Sequence, residues 1–153
     1  MQEIANRSEI FQKCDNMAWK FRTYKSSSGR NDVQDAVDGL RDDVLEHFLG
    51  RVRYLANTPN KLDWHEPQAK KLKGVAEIYE IRFKANNVQY RPFGYFGPSE
   101  EDFTILVWAT KKDEKYKPAN AIDTADTRRE QVKDKSAESV ALQIDGEDFP
   151  PPP

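Results

Sequence analysis

The run DFTILVWAT, residues 102–110, constrains the fold of this chain more than any other stretch. It is apolar at both odd and even positions, and a strand with two apolar faces is typical of the interior of a sheet. We therefore expect a sheet that has this strand at its centre. The length of 153 residues and the hydrophobic content of 37% are adequate for one domain with its own core.

Three other segments show the period-two alternation of strands. The first is MAWKFRTY, residues 17–24. The second and third, residues 77–84 and 88–96, flank Asn86 and Asn87, which tolerate a positive φ and so predict a hairpin turn. In the second segment, Glu80, Arg82 and Lys84 share the polar face.

Apolar residues recur at helical spacing between residues 33 and 55, which predicts helices there. Gly39 and Asp42 indicate a break into two helices, and Pro118 indicates the start of a third. The expected fold is α+β with the order β-α-α-β-β-β-α. Its small, mostly antiparallel sheet should carry the helices on one side.

The composition changes towards both ends of the chain. All 24 Lys and Arg precede residue 136, whereas four of the 26 acids and the closing run DFPPPP follow it. We therefore predict a flexible segment at 1–16, a domain at 17–135 and a disordered acidic tail at 136–153. The stretches 61–74 and 111–117 are expected to be a connector and a polar loop.

Several classes of protein are disfavoured by composition. One cysteine and two histidines argue against an intrachain disulfide and a Cys/His zinc site, so we expect no metal and no cofactor. There is no run of about 20 apolar residues, and the first residues lack the apolar core of a secretory signal. The expected location is the cytoplasm.

The hairpin should place Arg82 and Arg91 close together across neighbouring strands. Two opposed cations repel each other unless an anion or an acid lies between them. A bound phosphate would satisfy both guanidinium groups, because the planar fork of arginine matches phosphate oxygens. The alternative is a surface network in which Glu77 and Glu80 neutralise the pair.

The segments WKFRTY, KKLKG followed by YEIRF, VQYRPFGYF, FTILVWATKK and AIDTADTRR resemble the RelE/ParE toxin superfamily, in particular its phage-derived HigB-like branch. The resemblance covers about residues 19–132 and implies a RelE-like fold. It also implies the toxin of a type II toxin–antitoxin system, a ribosome-dependent, metal-independent mRNA endonuclease. The implied partners are the ribosome, mRNA and a cognate antitoxin, expected to be a helix-turn-helix protein.

The resemblance implies catalytic roles for four residues: Arg82, Arg91, Lys112 and Tyr116. Other basic residues are candidates for RNA binding: Lys84, Lys111, Lys70, Lys71 and Lys73. Two residues are candidates for proton transfer: Glu80, if it faces the RNA, and His65, because imidazole exchanges protons near neutral pH.

Two alternatives remain open. Members of the family often carry a second basic residue where this chain has Glu80, which favours a non-catalytic binding or regulatory protein of phage origin on the same fold. The ParE branch shares the fold but poisons gyrase, so gyrase inhibition is the other alternative. Fold alone does not choose between them.

Overall fold

A computed structural model describes residues 18–149, and the predicted flexible segment 1–16 lies outside them. Within that range the chain is α+β, as expected. Its helices are α1 (Asp32–Asp38), α2 (Asp42–Ala56) and α3 (Ala121–Lys133), with a short 3-10 turn at Lys61–Asp63. The strands are β1 (Lys20–Lys25), β2 (Ala69–Lys71), β3 (Tyr79–Ile81), β4 (Phe83–Ala85), β5 (Val88–Tyr90), β6 (Phe93–Phe96), β7 (Asp102–Val107), β8 (Thr110–Lys112), β9 (Lys115–Lys117), β10 (Glu138–Ala141), β11 (Gln143–Ile144) and β12 (Glu147–Asp148).

The larger sheet has six strands in the order β10-β1-β7-β6-β3-β2. Strands β1 and β7 are parallel, and the other neighbours are antiparallel. The prediction of a central strand is confirmed, because β7 lies inside this sheet and all six of its residues are buried.

The hairpin predicted at Asn86 and Asn87 is confirmed, and both residues have a positive φ, 50° and 63°. Each of its two predicted strands is divided, however. The backbone N–H of Arg82 donates to Gln68 (2.9 Å) and that of Arg91 donates to Ala109 (2.7 Å), while Pro92 has no N–H to donate. The ladder opens there, so the hairpin leaves the six-stranded sheet and enters a second sheet, ordered β4-β5-β8-β9.

The expectation that helices cover one side of the sheet is wrong. Val33 of α1 and Phe48 of α2 pack with Phe103 and Ile105 of β7 in one core. Leu106, on the opposite face of β7, packs in a second core whose helical residues, Ala121, Ala125 and Val132, come from α3. Since alternate residues of a strand face opposite ways, helices cover both faces, which explains why β7 is apolar throughout.

The prediction of a disordered tail is wrong for residues 138–149. Strand β10 pairs antiparallel with β1, and the side chains of Leu142, Ile144 and Phe149 are buried in the core that contains α1 and α2. Gln34 of α1 also donates to the Gln143 carbonyl (2.8 Å) and accepts from its N–H (2.9 Å). These three apolar residues lie between acidic residues and pack this segment into the core, although the acidic composition of the tail suggested disorder.

The prediction of a polar loop at 111–117 is also wrong, because these residues form two paired strands. Strands β8 and β9 form a hairpin in which Asp113 and Glu114 adopt a positive φ. A search of helices within residues 18–149 finds none with the length and apolarity needed to cross a membrane.

Because Phe149 is only 1% exposed, replacing it with alanine should remove buried surface and leave a cavity. We expect Phe149→Ala to lower the free energy of unfolding by about 3–5 kcal/mol, measured by urea denaturation. Leu62→Ala, at a side chain 83% exposed, should change it by less than about 0.5 kcal/mol. Equal effects of the two substitutions would show that the C-terminal strands contribute little to the fold.

Candidate functional site

One face of the four-stranded sheet carries most of the candidate residues. Strand pairing aligns Lys84 with Gln89, Gln89 with Lys111, and Lys111 with Tyr116. Paired residues of antiparallel strands point to the same side, so these four side chains form one row. The neighbouring residues Phe83 and Tyr90 stack on each other, with ring centroids 4.7 Å apart, on the side that meets the core. The row therefore lies on the other side of the sheet, where Lys84 and Gln89 are exposed and Lys111 and Tyr116 are half-buried.

Arg82 and Arg91 continue this row where the two sheets meet. Arg82 precedes Lys84 by two residues and Arg91 follows Gln89 by two. The Arg91 Nη2 group donates to Gln89 Oε1 (3.0 Å). We call the six side chains together the basic face: Arg82, Lys84, Gln89, Arg91, Lys111 and Tyr116.

Glu80 lies beneath this face and is completely buried. Its Oε2 accepts from Arg82 Nε (2.9 Å), and its Oε1 accepts from the hydroxyl of Tyr116 (2.6 Å). Arg91 Nε lies 3.6 Å from the same Oε1. The acid that must separate two opposed arginines is therefore Glu80. Since three side chains enclose it, Glu80 can position them, but it does not reach outward as a proton-transfer group would.

The two arginines differ in how well their charge is balanced. Burial lowers the pKa of Arg82, but Glu80 and Glu66 outweigh that effect and leave its pKa above the ordinary value. For Arg91, burial prevails over the attraction of Glu80, so its pKa lies below the ordinary value. Arg91 Nε is also buried and has no hydrogen-bond partner in the part of the chain that the structure describes. Arg91 is thus the cation with the greater deficit of counter-charge.

Tyr116 belongs to β9 and closes the cluster from the second sheet. Its ring lies edge-on to Phe93 (centroids 4.9 Å apart), and Lys111 Nζ lies 5.2 Å from its centroid. Burial, reinforced by the hydrogen bond to Glu80, raises the pKa of this phenol well above its ordinary range. At neutral pH the hydroxyl therefore stays protonated and donates to Glu80.

Lys112 and the connector residues lie elsewhere. Lys112 follows Lys111 in β8 and so points to the opposite side from Tyr116. Lys70, Lys71 and His65 line an open cleft of about 430 Å³ together with Glu66. The exposed Lys73 follows β2.

Glu66 links that cleft to the basic face. It is exposed and forms ion pairs with Arg82 Nη1 (2.8 Å) and Lys70 Nζ (3.7 Å). His65 Nδ1 lies 2.9 Å from the backbone carbonyl oxygen of Glu66. The imidazole therefore lies beside Glu66 and not beside Glu80.

Sequence reasoning did not select Gln89, Glu66 or Arg51. Gln89 has a weak signal, since it lies two residues from Arg91 on a strand. Arg51 follows Phe48 by three residues in α2, and a cation at the margin of a buried stripe is common. Glu66 has no such signal. Its contact with Arg82 depends on the path of residues 64–68 into β2, the strand that pairs with β3.

Removing Glu80 should leave two half-buried arginines without their shared acid. We expect Glu80→Ala to lower the free energy of unfolding by about 3–5 kcal/mol in urea denaturation. The control is Glu114→Ala, which removes the exposed partner of Lys111 and should cost less than about 1 kcal/mol. A Glu80→Ala protein as stable as this control would exclude Glu80 as the organiser of the cluster.

The raised pKa of Tyr116 predicts a loss of stability in alkali. The neutral phenol is favoured in the folded state, so its contribution is complete below about pH 10, the ordinary tyrosine value, and is lost as pH rises through the folded pKa. Tyr116→Phe should therefore flatten the fall of unfolding free energy above about pH 10. Tyr54→Phe, at an exposed tyrosine, should leave the slope unchanged. Equal slopes for wild type and Tyr116→Phe would contradict a phenol that is buried and hydrogen-bonded to Glu80.

Comparison with known proteins places the chain in a family. No curated protein and no solved structure matches it significantly. The family described as "Phage derived protein Gp49-like (DUF891)" matches residues 35–130, more than half of the chain, and includes Glu80 and the whole basic face. This family is generally regarded as related to the RelE and HigB toxins. The chain belongs to the Gp49-like family of phage-derived proteins.

Proposed function

We propose that this protein is the toxin of a type II toxin–antitoxin system and cleaves mRNA on the ribosome without a metal ion. The observation that carries the proposal is the cluster around Glu80. It holds Arg82, Arg91 and Tyr116 around one carboxylate, on the face of the four-stranded sheet that also bears Lys84 and Lys111. Membership of a family related to RelE and HigB toxins supports it.

The basic face suits the charge that develops during RNA cleavage. When the ribose 2′ oxygen attacks phosphorus, the O2′–P bond forms and the P–O5′ bond breaks, which leaves a 2′,3′-cyclic phosphate and a 5′ oxygen that takes up a proton. Negative charge develops on the phosphorane oxygens, and preorganised cations stabilise it. Arg91 is the stronger candidate for this contact because its charge is incompletely balanced. Arg82 can join it by exchanging the exposed Glu66 for phosphate. Lys84 and Lys111 would hold the flanking backbone.

The proton transfers of the reaction are better assigned to groups outside the cluster around Glu80. Glu80 is enclosed, and the hydroxyl of Tyr116 donates a hydrogen bond to it. We propose that these two residues position the arginines, while His65 or ribosomal RNA accepts the proton of the 2′-OH and returns one to the leaving 5′ oxygen. A cognate antitoxin would neutralise the toxin by covering the basic face with acidic side chains.

A second function is favoured by the same acid. Glu80 occupies the space between the two arginines and neutralises part of their charge, as would suit a phage-derived protein that binds RNA or a partner without cutting it. The two functions differ in a simple outcome, since a binding protein should be harmless when expressed alone in bacteria. Its RNA would be retained but not cleaved.

Arginine substitutions test the cleavage proposal. We expect Arg82→Ala and Arg91→Ala to abolish growth arrest and to slow ribosome-dependent mRNA cleavage by about 10²-fold or more, because each removes a cation from the transition state. Arg82→Lys should restore part of the activity, since it keeps the charge but loses the planar fork. Growth curves and primer extension on translated mRNA measure both effects.

Arg30→Ala is the matched control, because it removes an exposed arginine from the loop after β1 and should leave toxicity unchanged. Urea denaturation of every variant separates loss of function from loss of folding. Full toxicity in a folded Arg82→Ala/Arg91→Ala double variant would refute the site. Harmless expression of a well-folded wild type would favour the binding protein instead.

A further inference from the structure

Arg51 of α2 has a buried polar group that the described residues leave unsatisfied. Within residues 18–149, its Nη1 group makes no hydrogen bond. Phe48, Val52 and Leu55 of the same helix are buried in the core, so Arg51 stands at the margin of that stripe with its stem against the protein. A buried, unpaired N–H of a charged group is costly, so it calls for a partner such as a water molecule, an ion or a ligand.

Arg51 lines an open cleft of about 370 Å³ between α2 and β4. Lys84 and His47 add basic groups to its wall, and Glu46 is the acid among its lining residues. The volume lies at the lower end of the range for small-ligand sites and is suited to one nucleotide. Burial lowers the pKa of Arg51, which agrees with a guanidinium that has lost part of its water.

The cleft adjoins the basic face. Lys84 belongs to both, and Gln68 of the cleft accepts a hydrogen bond from the backbone N–H of Arg82 (2.9 Å). Tyr54, another lining residue, is 49% exposed and presents an aromatic ring near Arg51. A cationic group beside an exposed aromatic ring is an arrangement that suits a nucleotide, with the phosphate on the cation and the base stacked on the ring.

We propose that this cleft is a second nucleotide subsite, in which Arg51 and Lys84 bind a backbone phosphate of single-stranded RNA and Tyr54 stacks on a base. The inference rests on the proposed RNA ligand, but it does not require that the RNA be cleaved. It extends the RNA path from the basic face across β4 to α2.

The test uses the full chain and a short fluorescent single-stranded RNA with 2′-O-methyl groups, which cannot be cleaved because the nucleophile is blocked. Fluorescence anisotropy gives Kd over a range of salt concentrations. We expect Arg51→Ala to raise Kd about tenfold and to reduce the slope of log K against log salt by about 0.7, the value for one phosphate contact on a single strand. Tyr54→Ala should raise Kd about fivefold or more with no change of slope.

Arg53→Ala is the matched control, because it removes the same charge from the same helix at a residue outside the cleft. Urea denaturation confirms that each variant is folded. The inference is overturned by an unchanged Kd in Arg51→Ala, by an equal effect of Arg53→Ala, or by a wild type that binds no RNA. If Arg82→Ala weakens RNA binding while Arg51→Ala does not, the subsite is wrong and the proposed function survives.

The opposite result also separates the two ideas. If Arg51→Ala weakens RNA binding and the wild type neither arrests growth nor cleaves mRNA, the subsite stands and the cleavage proposal fails. A poly-glutamate peptide of equal charge tests for a protein ligand. Binding of that peptide that depends on Arg51, with RNA affinity independent of it, would assign the cleft to an acidic protein partner and overturn the nucleotide subsite.

Discussion

The buried carboxylate of Glu80 is the constraint on which the junction of the two sheets depends. Glu80 belongs to β3 of the six-stranded sheet, and Tyr116, which donates to it, belongs to β9 of the four-stranded sheet. Arg82 and Arg91 stand where the hairpin passes from one sheet to the other. A buried charge is tolerated only when paired and hydrogen-bonded, so the acid requires both arginines and the phenol in place.

That requirement has a consequence for the outward surface. Because the guanidinium groups are fixed from below by Glu80, their orientation does not depend on a ligand. A preorganised cation loses little side-chain entropy on binding, which is the condition under which a few contacts give useful affinity. The same residues therefore join the sheets and prepare the basic face.

The sequence predicted the elements whose pattern is local. The break between α1 and α2, the turn at Asn86 and Asn87 and the buried β7 follow from spacing, capping and turn chemistry. The cover of both faces was not predicted because the pattern of α3 does not show on which face of the sheet the helix packs. The opposition of Arg82 and Arg91 was predictable from the hairpin, but the burial of Glu80 was not, since it depends on Tyr116 arriving from a strand 36 residues away.

The two acids near Arg82 differ in a way that bears on any anionic ligand. Glu66 is exposed, so a phosphate can replace it at Arg82 Nη1 and release it into water at little cost. Glu80 cannot move out of the cluster, because the two largely buried arginines would lose their shared partner. An incoming phosphate therefore replaces Glu66 as a partner of Arg82, while Glu80 keeps its contacts with both arginines. The ligand then meets the charge of the two arginines less the one carboxylate beneath them, and Lys84, Lys111 and Arg51 must supply the remaining attraction.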